Sequence, residues 1–167
     1  KKEDFEERAK ASYQSVTDLI ANRNTLKSAI VKSNAVTEVI INGKTMTVAE
    51  AIERKNSIDY DETFLAEMKR QYASATDTVT KENKKVDNKV DELLATLIGK
   101  DSSKEVNKDS QEAIEKPYRA KNEFEFIDPI EIWDKIEALE ADIDGFKASV
   151  DTTLSVANAT SFIEVDF

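Results

Sequence analysis

From Lys44 to Ile98 the chain contains neither glycine nor proline, and within that stretch apolar residues return every seven positions: Ala51, Ile58, Leu65, Tyr72, Val79, Val86 and Leu93. Ile52, Met68, Ala75, Val90 and Leu97 widen the stripe. A heptad period sustained this long predicts one amphipathic helix over 47–99 whose seam must be covered. At 1.5 Å per residue such a helix spans roughly 80 Å. A chain of 167 residues cannot hide it in a compact core, so it needs other long helices beside it.

Composition agrees. The whole chain has three Gly and two Pro with 35% charged residues, too little turn material for a many-stranded sandwich or barrel. It has no Cys and no His. Thiolate nucleophiles, Ser-His-Asp triads, imidazole bases and ordinary structural zinc sites are therefore excluded, and no disulfide can form. Acid–base chemistry by carboxylates, Lys or Tyr is the only enzymatic route left open. With 24 Lys plus Arg against 34 Asp plus Glu, the formal net charge is −10. That balance speaks against a nucleic-acid partner, since phosphate neutralisation needs a basic face. Acidic and basic residues are interspersed, which also argues against a nucleic-acid mimic. No apolar run approaches the roughly 20 residues of a membrane span.

Before the long helix, steps of three and four residues pick out Phe5, Ala9, Ser12, Val16, Leu19, Arg23, Leu26 and Ile30. They predict a first helix over about 1–33 with two polar members, Ser12 and Arg23, in its seam. An Arg there needs an ion pair or a path to water. Asn42-Gly43, flanked by β-branched residues, predicts a hairpin of strands 36–41 and 44–47, because a type I′ turn needs positive φ at both central positions. Thr47-Val48-Ala49-Glu50 has the form of a capping box that starts the long helix.

After Gly99, residues 100–109 have a turn composition and predict an exposed tip, with Gly99 ending the helix. A short helix over about 110–120 follows, with Pro117 expected to kink or shorten it. Residues 122–127 alternate Glu and Phe and read as extended, with Phe124 and Phe126 on one side. Asp128-Pro129-Ile130-Glu131 predicts a helix start with Pro at the first helical position. The last helix, over about 129–157, carries Ile132, Ile136, Leu139, Ile143, Phe146 and Val150, with Gly145 a tolerated weak point. The closing segment Asn158-Ala159-Thr160-Ser161-Phe162-Ile163-Glu164-Val165-Asp166 echoes Asn34 to Ile41 and predicts a third strand over 161–166.

The expectation is one mainly α domain over 1–167. It is an elongated antiparallel three-helix coiled-coil bundle, with a small antiparallel sheet of hairpin plus C-terminal strand at one end. Trp133, Phe146, Phe124 and Phe126 are expected as core or capping layer, an exposed partner-binding strip being the alternative. Asp142-Ile143-Asp144 and Asp59-Tyr60-Asp61 have the Asp-x-Asp spacing of calcium loops, but inside heptad patterns they read as solvated helix surface, so no metal ligand is assigned. No cofactor or catalytic residue is assigned either. One polar constellation stands out. Arg23 and Arg54 fall at similar heights near the predicted sheet, Asn34 and Asn158 mark its two helix-to-strand junctions, and Asn56 and Lys27 are near. Two of the chain's five Arg at one level can clamp an anion bidentately. They can equally serve as ion-pair partners of Glu50, Glu53 or Asp18.

The passage Asn34-Ala35, strand, Asn42-Gly43-Lys44, Thr45 to Arg54, with the terminal Asn158-Ala159-Thr160, resembles an uncharacterised group of bacterial and prophage helical proteins, some labelled septicolysin-like. The resemblance follows the order helix, Asn-containing turn, hairpin, Thr-capped helix with an Arg, and final strand; the stretch around 99–128 is an insertion. It implies a small cytoplasmic or phage-encoded protein that forms a homo-oligomer. The toxin activity in the label has no supporting chemistry or membrane segment in this sequence. Two functions are therefore expected: a non-enzymatic scaffold that self-associates, or a small-ligand binding module, such as a phage sponge for a nucleotide-like immune signal, using Arg23, Asn34, Arg54, Asn56 and Asn158.

Overall fold

The computed structural model describes residues 1–99 and 108–166. The protein is mainly helical, and the described residues form four helices and one two-stranded antiparallel sheet. The order is α1 (Lys2–Val36), β1 (Glu38–Ile41), β2 (Lys44–Thr47), α2 (Val48–Gly99), α3 (Lys108–Asn122) and α4 (Ile132–Thr160). Two compact units divide the chain, one of residues 1–62 with 140–167 and one of residues 63–139.

In the first unit the hairpin forms where Asn42-Gly43 demands it. Asn42 has φ 49° and Gly43 φ 73°, as a type I′ turn requires. Glu38 pairs with Thr47 and Ile41 with Lys44. Val39 and Ile41 are buried while Glu38 and Ile40 are exposed, the alternation of a strand with one covered face. The capping box is present: the Thr47 N–H donates to Glu50 Oε2 at 2.6 Å, and the Glu50 N–H donates to Thr47 Oγ1 at 3.1 Å. The Thr47 amide, and then its hydroxyl, hold the Glu50 carboxyl below its ordinary pKa. The Val48 N–H donates to Thr37 O at 2.8 Å, which ties the start of α2 to the start of β1. Val39, Ile41, Val48, Ala51 and Ile58 are buried in this unit, as are Ile143, Phe146, Val150 and Ala157. Ion pairs join Lys55 to Asp151 at 2.5 Å and Lys147 to Glu62, so α2 and α4 run antiparallel here.

In the second unit the chain returns along α2. Tyr72 packs edge-on against Phe126, with ring centroids 5.7 Å apart, and tilted against Trp133 at 5.2 Å. Asn83 uses both ends of its amide on one residue: Nδ2 donates to Phe124 O at 2.9 Å and Oδ1 accepts from the Phe124 N–H at 2.7 Å. A side chain thus plays the part of a neighbouring strand for an extended segment that has none. Arg119 Nη1 meets Asp87 at 2.6 Å and Nε meets Glu115 at 2.7 Å; Glu115 and then Asp87 raise the Arg119 pKa. The aromatic expectation divides. Phe146 is fully buried and Phe126 half-buried, whereas Phe124 and Trp133 are exposed, and the Trp133 indole N–H donates to Glu137 at 2.8 Å.

Several expectations need correction. The sheet has two strands, and 161–166 is not one of them. Helix α4 instead continues to Thr160, whose hydroxyl donates back to Val156 O at 2.9 Å, and Ser161 N–H still bonds Ala157 O at 2.9 Å. Residues 164–166 then lie beside Asn24, Thr25, Ser28 and Lys32 of α1 rather than along a sheet edge. Asn34 and Asn158 are consequently last-turn helical residues and not junctions. Pro129 does not occupy the first helical position. Pro129 and Ile130 form a turn and Glu131 has φ 54°, so the helix starts at Ile132, with the Asp128 carboxylate accepting from the Ile132 N–H at 2.8 Å. Helix α3 continues through Pro117 to Asn122. Of the tip expected over 100–109, residues 100–107 lie outside the described residues, and Lys108 and Asp109 already belong to α3.

Candidate functional site

One polar arrangement joins the hairpin, the first turns of α2 and the middle of α4, all in the first unit. It begins with Gly145. A Cβ built there would sit 2.5 Å from the Asn42 side-chain amide carbon, a separation that non-bonded carbons do not tolerate. Gly145 is thus the bare patch of helix on which the turn residue Asn42 rests, and α4 continues through it. One residue pair supplies both the left-handed turn and its docking place.

The turn so placed sets Lys44 over α4. Lys44 Nζ lies 2.6 Å from Asp142 Oδ1, and Arg54 Nη2 from the second turn of α2 lies 2.7 Å from Asp142 Oδ2. The guanidinium carbon of Arg54 stands 4.3 Å above the centroid of the Phe146 ring. Asp142 and Phe146 are one helical turn apart, so a single face of α4 offers both a carboxylate and an aromatic face to Arg54. Stacking and charged hydrogen bonding use different parts of the planar guanidinium, which is why Arg rather than Lys suits this place. Lys44 first, and then Arg54, hold the Asp142 carboxyl below its ordinary pKa, while partial burial opposes them. The three groups carry one net positive charge and are paired with one another as a clasp.

Of the five residues singled out for anion binding, Arg54 is engaged in this clasp. Its partner is Asp142, not Glu50, Glu53 or Asp18; Glu50 caps α2, and Asp18 accepts from Gln14 at 2.8 Å. Arg23 is exposed on α1, where Nη1 reaches Asn24 Oδ1 at 3.4 Å. Asn34 is half-buried on α1, and Asn56 and Asn158 are exposed on α2 and α4. Among the described residues no hydrogen bond or ion pair joins any two of the five. The sequence does not single out Asp142, Lys44 or Phe146 for this site: the Asp-x-Asp spacing compares Asp142 only with calcium loops and leaves it on solvated helix surface. The available signal was its position four residues before Phe146, on the apolar stripe of the last helix.

An open groove of about 340 Å³ runs beside β1, lined by Thr37, Val39, Thr152, Thr153, Thr160 and Ser161 among others. Thr and Ser hydroxyls alternate there with the apolar side chains of Val39, Val156 and Ala157, and Glu38 is the one charged residue in its lining. Among the described residues no helix is long and apolar enough to cross a membrane. No protein-family model, curated protein or solved structure matches this chain.

Proposed function

We propose that this chain is a non-enzymatic helical scaffold that self-associates through α1. The observation that supports the reading is that α1, 35 residues long, buries none of them. Its heptad stripe is nevertheless regular, and Phe5, Val16, Leu19 and Leu26 on it are 72%, 55%, 64% and 38% exposed. Most helical stability in proteins comes from covering an apolar face, because propensity alone leaves isolated helices marginal. A stripe of about four heptads left in water is the signature of a coiled-coil strand whose partner comes from outside the molecule. The coiled-coil packing expected for the first helix is then supplied between copies.

The engaged state of Arg54 favours this reading over a small-ligand module, since an anion would have to displace Asp142. A phage or prophage setting and a cytoplasmic location rest on the resemblance of residues 34–54 alone. The test is mass in solution as a function of concentration, by sedimentation velocity or light scattering. Reversible assembly at micromolar concentration is expected, and Leu19→Gln should abolish it. A strictly monomeric mass throughout would overturn the proposal.

A further inference from the structure

We infer that the occupant of the α1 stripe is the α1 helix of a second copy, lying antiparallel in one specific register. The inference rests on the reading above and adds partner, direction and alignment. In an antiparallel pair, residues at the same height have numbers with a constant sum. Heptad geometry places each first core position (Ala9, Val16, Arg23, Ile30) against a second core position (Phe5, Ser12, Leu19, Leu26), which allows sums of 28, 35 or 42. With 35, the layers are Phe5 on Ile30, Ala9 on Leu26, Ser12 on Arg23 and Val16 on Leu19. All eight stripe residues are used, large faces small or medium, and the two polar members meet. With 28, Arg23 lies on Phe5; with 42, it lies on Leu19. A parallel pair sets Arg23 against its own copy.

Charge points the same way. Residues 19–36 contain Arg23, Lys27 and Lys32 and no acidic residue, whereas residues 1–10 interleave Glu3, Asp4, Glu6 and Glu7 with Lys1, Lys2, Arg8 and Lys10. Of these carboxylates the antiparallel register sets Glu6 beside a basic residue, twice by symmetry, as a self-complementary interface requires. Glu6 and Lys27, both immediately after core positions, flank the seam on opposite copies at nearly equal height. The seam is also accessible. Residues 164–166 lie beside Asn24, Thr25, Ser28 and Lys32, on the helix face away from the stripe, and of the eight core residues only Ile30 is half-buried. The Arg23 that was costly in a lone seam becomes the device that fixes register, as a polar core residue does in other coiled coils.

Because the chain has no Cys, single introduced thiols report alignment cleanly. Ala9→Cys and Leu26→Cys chains, each checked for unchanged helix content and mixed under exchange and mild oxidation, should give a disulfide-linked heterodimer. Each variant alone should give little, since like positions lie about 26 Å apart in this register. Separately, Glu6→Lys should weaken dimerisation by about threefold to tenfold, and Glu6→Lys with Lys27→Glu should restore it. A dimer in which Ala9→Cys links to itself, or in which the mixture gives no heterodimer, overturns the antiparallel register and leaves self-association standing. A monomer at every concentration overturns both.

Discussion

Along α4, Ile143, Phe146 and Val150 fall on a heptad stripe and are all buried; along α1, Phe5, Val16 and Leu19 fall on one that Ser12 and Arg23 interrupt, and stay in water. The difference lies in what each helix offers besides apolar residues. Helix α4 presents Gly145, which admits the hairpin turn at close range, and Asp142, which collects Lys44 and Arg54. Helix α1 presents Arg23 in mid-stripe, reaching only its neighbour Asn24 at 3.4 Å among the described residues. Periodicity says that a face needs cover; specific polar and small residues decide what covers it.

The comparison breaks first at Phe146. Phe146→Ala removes a fully buried ring on which Arg54 also rests, and should cost about 3 to 5 kcal/mol in denaturant unfolding. A loss below 1 kcal/mol would show that the α4 stripe is no better covered than that of α1.

Gly145 gives the next test. Gly145→Ala ought to gain about 1 kcal/mol from helix propensity, but its Cβ meets the Asn42 side-chain amide at 2.5 Å, and that exposed side chain must swing off the helix, so the gain is expected to be largely lost. In an Asn42→Gly background, where the turn keeps its positive φ, the same change should give the full gain. Additivity of the two substitutions would remove the docking argument.

What was legible in the residues follows the range of each interaction. The Asn42-Gly43 turn and the Thr47–Glu50 box were readable because their partners lie within three residues. The clasp was not, since Arg54 and Asp142 are 88 positions apart and nothing local distinguishes Asp142 from a solvated carboxylate. The third strand failed for a related reason. β-branched and aromatic residues in 161–166 signal extended backbone, not a pairing edge, and Thr160 back-bonded into α4 consumed part of the segment. The stripe of α1 was readable as periodicity, whereas its exposure was not.

Asp142 also supplies a pH test. Its carboxyl is held below the ordinary value by Lys44 and Arg54, so between the folded and unfolded pKa values the folded protein binds fewer protons. Its contribution is complete above about pH 4, the unfolded value, and drains away as pH falls through the folded value. Asp142→Asn should cost about 1 to 2 kcal/mol near neutrality, discounted because Lys44 reaches solvent, and should flatten the acid limb of stability against pH. An unchanged acid limb would mean that other carboxylates govern it.

The smallest effect on the single molecule is expected where the exposed stripe is most regular. Leu19→Gln changes a side chain that is 64% exposed, so unfolding measured at nanomolar concentration should shift by less than about 0.5 kcal/mol. At concentrations where copies associate, the wild type should melt higher with increasing concentration and the variant should not, because assembly stabilises only the folded form. Phe146→Ala should show the reverse pattern, a large loss that is the same at every concentration. If Leu19→Gln instead destabilises the dilute protein by as much as a core substitution, its side chain is covered within one chain. The contrast between α1 and α4 then disappears.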